Sequence, residues 1–220
     1  RNYLFKFIKL FIILFFYIIH FRPNVIYINT WSPFGLPALI FGKILNINIY
    51  ITAHGLDIVE PLKSKFHKFI MTFVLNNSAK IFCVSNYTKE LVLKYCSLKN
   101  IDNAVVINNG ILLSDFYPID KTKAREKINL PQKKKIILTV ARLTPRKGHI
   151  AVLETINKLK NEIDEIYYVI VGRGIFEKDI QNYIIENNLQ NYVKLAGFID
   201  KNELIYYYNA CDVFVMYSTE

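Results

Sequence analysis

Ile136-Ile137-Leu138-Thr139-Val140-Ala141-Arg142-Leu143-Thr144-Pro145-Arg146-Lys147-Gly148-His149 is the stretch whose reading decides the fold. It opens as an apolar run of strand length, then turns through a proline, a glycine and three cations into a segment of helical period that the pattern extends over 148–160. A strand that feeds a helix through a charged turn is half of a parallel β-α-β unit. The same rhythm continues downstream, with strands predicted at 166–171, 192–196 and 213–217 and helices at 175–188 and 201–209. Upstream it recurs as strands at 25–29, 47–53, 80–84 and 104–107 with helices at 34–45, 62–76 and 86–96. Asn108-Asn109-Gly110-Ile111 reads as a turn, and the polar stretch 114–135, containing Pro118 and Pro131, reads as a linker. The expected fold is α/β, with two Rossmann-like domains of parallel sheet at 1–118 and 119–220 facing a cleft. Ligands of such sheets bind at the carboxyl ends of the strands.

Caps support several boundaries. Ser85-Asn86-Tyr87-Thr88 has the pattern of an N-cap, Asp200 and Glu203 have capping-box spacing, and Gly197 closes the strand before them.

The strand-to-helix turns hold the candidate chemistry. Arg142, Arg146 and Lys147 gather where a helix begins, Gly148 permits close approach of the main chain, and free N–H groups add positive potential, so this turn suits an anion such as a diphosphate. The plain alternative, solvated charges on a surface loop, leaves three like charges without a counter-ion. One β-α unit on, Gly172-Arg173-Gly174 ends the next strand on the same expected edge. In the first half, Thr52-Ala53-His54-Gly55-Leu56-Asp57 sets an imidazole at a strand's carboxyl end, where it can hydrogen-bond a sugar hydroxyl or steady developing charge.

Composition narrows the partners. The chain is 52% hydrophobic and 21% charged, as a globular protein is, and 28 Lys and Arg against 18 Asp and Glu leave a formal charge of +10 that favours anions. No basic block longer than Lys133-Lys134-Lys135 occurs and no nucleic-acid motif accompanies it, so no nucleic-acid partner is expected. Cys83, Cys96 and Cys211 form no disulfide pattern, which points to a reducing, cytoplasmic compartment. His20, His54, His67 and His149 show no zinc spacing, so no structural metal is expected.

Residues 3–19 are strongly apolar, yet Lys6 and Lys9 interrupt them and leave an unbroken run only from Leu10 to Ile19. That is about half of the roughly 20 residues a spanning helix needs. The expectation is a helix buried against the sheet or lying on an anionic membrane; a true transmembrane helix is the alternative. Residue 1 is Arg, and the sequence stops just past an apolar run, so the reading expects both ends to be cut.

Taken in order, the His54 turn, Cys83-Val84-Ser85-Asn86-Tyr87-Thr88-Lys89-Glu90, Val106-Ile107-Asn108-Asn109-Gly110-Ile111, the Arg142 to Gly148 turn, Val171-Gly172-Arg173-Gly174 and Asp212-Val213-Phe214-Val215-Met216 resemble glycosyltransferase family 4 from about residue 24 onward. The most specific element is an Arg, four residues, then Lys-Gly after a strand. The resemblance implies a GT-B architecture and a metal-independent enzyme without cofactor. Such an enzyme moves a sugar from a nucleoside-diphosphate sugar to a glycan or lipid-linked acceptor, with retention, in cell-surface polysaccharide or lipopolysaccharide-type biosynthesis. It further implies that Arg142 and Lys147 hold the donor diphosphate, with His54 near the donor sugar. Gly172 and Gly174 would lie near the nucleotide, the main chain around Phe198 would border its base, and Gly148 is grouped with the donor-binding residues. The family's Gly-rich turn would precede Arg1. Of its paired glutamates past the last strand, Glu220 stands one residue short of the usual approach to the first and is grouped with the donor-binding residues. The alternatives are a GT-B nucleotide-sugar epimerase and a non-catalytic nucleotide-binding or membrane-associated module.

Overall fold

The computed structural model describes residues 2–163 and 165–219, with side chains from Ile8 onward. Glu220 therefore lies outside the described residues. Packing divides the chain into one unit ending at Gly110 and another beginning at Ile111.

The first unit opens with α1 (Asn2–Phe21), followed by β1 (Val25–Ile28), α2 (Gly35–Leu45), β2 (Asn48–Ala53), α3 (Leu56–Val59), α4 (Lys65–Asn76), β3 (Lys80–Cys83), α5 (Asn86–Cys96) and β4 (Ala104–Val106). Its strands pair in parallel in the order β1-β2-β3-β4. Alternation decides what each face carries. Ile49, Ile51 and Ala53 of β2 point into a core with Leu39, Met71, Val74, Val92 and Cys96. The other face carries aromatic rings, Tyr50 stacked on Phe82 at 5.9 Å and Tyr27 tilted against Phe82 at 6.3 Å.

Three expectations change in this unit. The N-terminal helix is not buried: Ile18 is covered and Phe11 and Phe15 rest on Phe41, but Ile12, Ile13, Phe16, Tyr17, Ile19 and Phe21 are exposed. Among the described residues, no helix is long and apolar enough to cross a membrane. The helix read from residue 62 starts only at Lys65, because Pro61 opens a 3-10 turn (Glu60–Lys63) and extended Ser64 then caps α4 by accepting from the His67 N–H. The Ser85 cap forms as read, its hydroxyl accepting from the Thr88 N–H at 3.1 Å.

The second unit runs α6 (Lys121–Lys127), β5 (Lys135–Val140), α7 (His149–Leu159), β6 (Ile166–Val171), α8 (Glu177–Glu186), β7 (Val193–Gly197), α9 (Lys201–Ala210) and β8 (Val213–Phe214). Its parallel sheet has the order β7-β6-β5-β8. Because both faces are covered, β6 is apolar throughout. Ile166, Tyr168 and Ile170 pack with Leu153, Ile156 and Ile180 of α7 and α8, while Val169 and Val171 pack with Ala124 of α6 and Tyr207 and Ala210 of α9.

The stretch read as a linker contains α6. Asp120 caps it, accepting from the Lys123 N–H at 3.0 Å, and its Arg125 is almost wholly buried. The Arg125 guanidinium donates to the Ala210 and Gln132 carbonyls at 2.9 and 2.6 Å and to Asp212 at 2.7 Å, and Asp212 also pairs with Lys121 and accepts the Ile136 N–H. Partial burial pushes the Asp212 carboxyl up, but the hydrogen bonds from Lys121 and Ile136 and the Arg125 and Lys121 charges outweigh it and hold it below its usual value. Two smaller departures follow. The Asp200 side chain makes no cap bond, so the capping box does not close. The last strand is shorter than 213–217, since Val215 gives its carbonyl to the Thr139 hydroxyl and Thr219 gives its N–H to Arg146, outside the ladder.

Candidate functional site

Register builds the site. Val140 lies opposite Val171 and Val171 opposite Gly197, so the turns that follow β5, β6 and β7 emerge side by side at one carboxyl edge. There Val140, Ala141, Arg142, Val171, Gly172, Arg173, Phe198, Ile199 and Leu204 line a cavity of ≈ 340 Å³. Of the residues singled out from the sequence, Arg142, Gly172 and Phe198 meet in this cavity. Lys147 stands further along the Arg142 turn, in the 3-10 segment Pro145–Lys147. Neither Arg142 nor Lys147 forms an ion pair among the described residues. The walls are apolar, Phe198 presents a largely open ring, and the Arg173 guanidinium stands 5.8 Å over that ring. Apolar walls with an aromatic plate and two cations suit a planar base carrying an anionic tail.

The glycines serve the chain's own packing. Gly172 has φ +142°, and a Cβ there would come closer than 3.0 Å to the Ala141 carbonyl oxygen; a Cβ on Gly174 would meet the Leu143 carbonyl equally closely. These contacts let Leu143 N–H donate to the Arg173 carbonyl at 3.0 Å and Phe176 N–H to the Leu143 carbonyl at 3.1 Å, lacing the two loops together. Gly148, at φ +65°, leaves room for the Tyr217 carbonyl and donates its N–H to Pro145 at 3.0 Å.

Two residues at this edge were not singled out from the sequence. Arg173 had a visible signal, a cation between two glycines. His149 had none: it is fully buried, its Nε2 lies 3.4 Å from the Arg142 carbonyl, and its Nδ1 has no partner among the described residues. Burial pushes its pKa down, the Arg142 hydrogen bond opposes that, and the Lys147 charge adds to the lowering.

In the first unit, His54 directly follows β2 and is exposed. Its Nε2 lies 2.8 Å from the Asn29 carbonyl, which can only accept, so Nε2 carries the proton and Nδ1 is left as an acceptor. Its main-chain N–H donates to Asp57 at 2.8 Å, and the Trp31 indole donates to the Asp57 carbonyl at 2.6 Å, fastening the His54 turn to the end of β1. Cys83 and Cys96 are buried, which pushes their thiols up to about 11 and about 12, values unsuited to a nucleophile at neutral pH. Among the described residues, no group of three or more His, Cys, Asp or Glu is placed to hold a metal ion.

Two family models match the chain, Glycosyltransferase Family 4 over residues 2–115 and Glycosyl transferases group 1 over residues 120–220. The Saccharomyces cerevisiae phosphatidylinositol N-acetylglucosaminyltransferase GPI3 subunit is 27% identical over 168 residues, 76% of this chain and 37% of that protein. The Escherichia coli UDP-Gal:alpha-D-GlcNAc-diphosphoundecaprenol alpha-1,3-galactosyltransferase is 28% identical over 195 residues, 84% of this chain and 49% of that protein. The chain thus spans less than half the length of either. Among solved structures, Anabaena Alr3699/HepE in complex with UDP superposes with a TM-score of 0.77 at 19% identity, covering 90% of this chain and 54% of that one, which establishes a GT-B type fold.

Proposed function

The chain belongs to glycosyltransferase family 4, and from that premise we propose that the protein transfers a sugar, with retention, from a nucleoside-diphosphate sugar to a glycan or lipid-linked acceptor during assembly of cell-surface polysaccharide or lipopolysaccharide-type glycans. The observation that carries this reading is a pair of cations without carboxylate partners among the described residues, Arg142 and Lys147, in the turn that borders an apolar cavity with an exposed aromatic ring. The diphosphate would lie against Arg142 and Lys147, which offset the charge that grows as the nucleotide leaves, work done by a divalent ion in other enzymes. The base would lie toward Phe198 with Arg173 above it and the main chain of Gly172 beside it. Gly148 and Gly174 would act through the loops they hold in place. The free Nδ1 of His54 is suited to accept from a sugar hydroxyl. UDP in the HepE complex and UDP-Gal in the name of the E. coli relative support a uridine nucleotide as the first probe. The names of both curated relatives contain a lipid-borne acceptor, which supports that class.

We further propose that the enzyme works on the cytoplasmic side and touches an anionic membrane. Exposed Phe16, Tyr17 and Phe21 of α1, with Lys9 and Arg22 beside them, supply the apolar and cationic groups such contact uses.

The test is transfer from radiolabelled UDP-sugars, scored separately for transfer, free-sugar release and epimer formation, in parent, Arg142→Ala and Lys147→Ala. Loss of a charge-assisted contact should weaken UDP binding roughly 10- to 100-fold and abolish transfer. Unchanged UDP affinity in both variants would overturn the assignment.

A further inference from the structure

We propose that His149 is a positioning residue: from the first turn of α7 its imidazole holds the main-chain carbonyl of Arg142 and so fixes the root of that guanidinium at the rim of the cavity. This rests on the reading of Arg142 as a diphosphate ligand. On either side of Arg142 the chain is tied to the neighbouring strand and loop, Ala141 N–H to the Val171 carbonyl at 3.0 Å and Leu143 N–H to the Arg173 carbonyl at 3.0 Å. The Arg142 carbonyl itself is bound from within its own turn by the Thr144 N–H at 2.9 Å and from α7 by His149 Nε2 at 3.4 Å. Only the second of these links the turn to a rigid element. A carbonyl oxygen only accepts, so Nε2 carries the proton and Nδ1 presents a bare lone pair.

Among the described residues that lone pair is buried without a partner, in a side chain that is itself fully covered. An unpaired buried acceptor is a cost, and Leu at the same place would avoid it while joining the apolar cluster of Leu143, Val152 and Leu153. What imidazole supplies and Leu does not is the bond to Arg142. The neutral form is the one that fits: a second proton would put an N–H and a charge into a buried site that already feels the Lys147 ammonium.

Gln places an amide N–H near the position of Nε2, whereas Asn is too short to reach it. The experiment measures UDP binding by calorimetry and thermal melting for the full chain and its H149L, H149Q, H149N, R142A and H149L/R142A variants. Expected are melting points for H149L at or above the parent's, UDP binding weakened roughly 3- to 10-fold in H149L and H149N, and recovery to within about twofold in H149Q. Adding H149L to R142A should weaken binding no further, since the imidazole acts through Arg142. If H149L fails to fold, weaker binding by H149N than by H149Q at matched melting points carries the same meaning. H149L binding like the parent while R142A is weakened would overturn the role of His149 alone. Equal binding by R142A and parent would overturn the donor-site reading as well.

Discussion

Gly172→Ala tests the architecture of the site without touching a charge. At φ +142° an L residue is strained, and the added methyl would press on the Ala141 carbonyl oxygen. Neither side can retreat freely. Gly172 N–H is bonded to the Gly197 carbonyl at 2.7 Å, and Ala141 N–H to the Val171 carbonyl at 3.0 Å, so relief requires stretching one of these ties. Strain of about 1–3 kcal/mol and overpacking of about 1–3 kcal/mol together predict a loss of about 2–6 kcal/mol. For a domain of this size each kcal/mol lowers Tm by about 4–8 °C, so the second unit should melt at least ~8 °C lower. Gly110→Ala is the control, because a Cβ there meets nothing within 4 Å. Thermal melts followed by far-UV circular dichroism give the comparison. The single tryptophan, Trp31, lies in the first unit, so its fluorescence distinguishes a local defect from a general one. If Gly172→Ala melts with Gly110→Ala, the wedged-carbonyl account of this edge is wrong.

Asp212→Asn leaves the buried Arg125 guanidinium without its counter-charge and should cost about 2–4 kcal/mol in urea unfolding, less than a fully buried pair because the carboxylate is a quarter exposed. Its folded-state pKa lies below the ordinary carboxylate value of about 3.9, so the stability it contributes is fully present above that pH and lost as pH falls through the lower folded value. Urea midpoints measured from pH 5 down to pH 2 should fall in the parent and change less in Asp212→Asn, and parallel curves would contradict this. Membrane contact through α1 predicts binding to vesicles rich in anionic lipid that weakens with salt and with Phe16→Ser/Phe21→Ser. Equal partition onto neutral and acidic vesicles would reject it.

Much of the fold could be read from apolar runs of two lengths. Strands such as Ile166 to Val171 are buried on both faces and announce themselves without alternation, and Ser85 marked a true helix start because its cap is local. What escaped depends on partners far away in the chain. The segment before Pro131 looked like linker because its helix buries only a short stripe, and the group that fixes it, Arg125, is a charged residue whose partner Asp212 lies 87 positions on. Arg142 and Lys147 were visible as cations after a strand. The true reason for Gly172 and Gly174 was hidden, since the carbonyls they admit belong to the preceding β-α turn. His149 offered only a lone imidazole after a glycine, and its value came from burial against Arg142.

The Asp212 latch also orders events during synthesis. Residues 135–197 can assemble β5, β6 and β7 with α7 and α8 as soon as they clear the ribosome, because each strand pairs with one close in sequence. Lys121, Arg125 and the Ile136 N–H must wait for a carboxylate translated 91, 87 and 76 residues later. Until then α6 is held by Ala124 against Val169 and Val171 and by the Arg125 bond to the Gln132 carbonyl, and the guanidinium lacks its counter-charge. The α6 attachment is therefore tightened only when the segment around β8 arrives, and a nascent chain halted before residue 212 would leave α6 more open to proteases than the central strands.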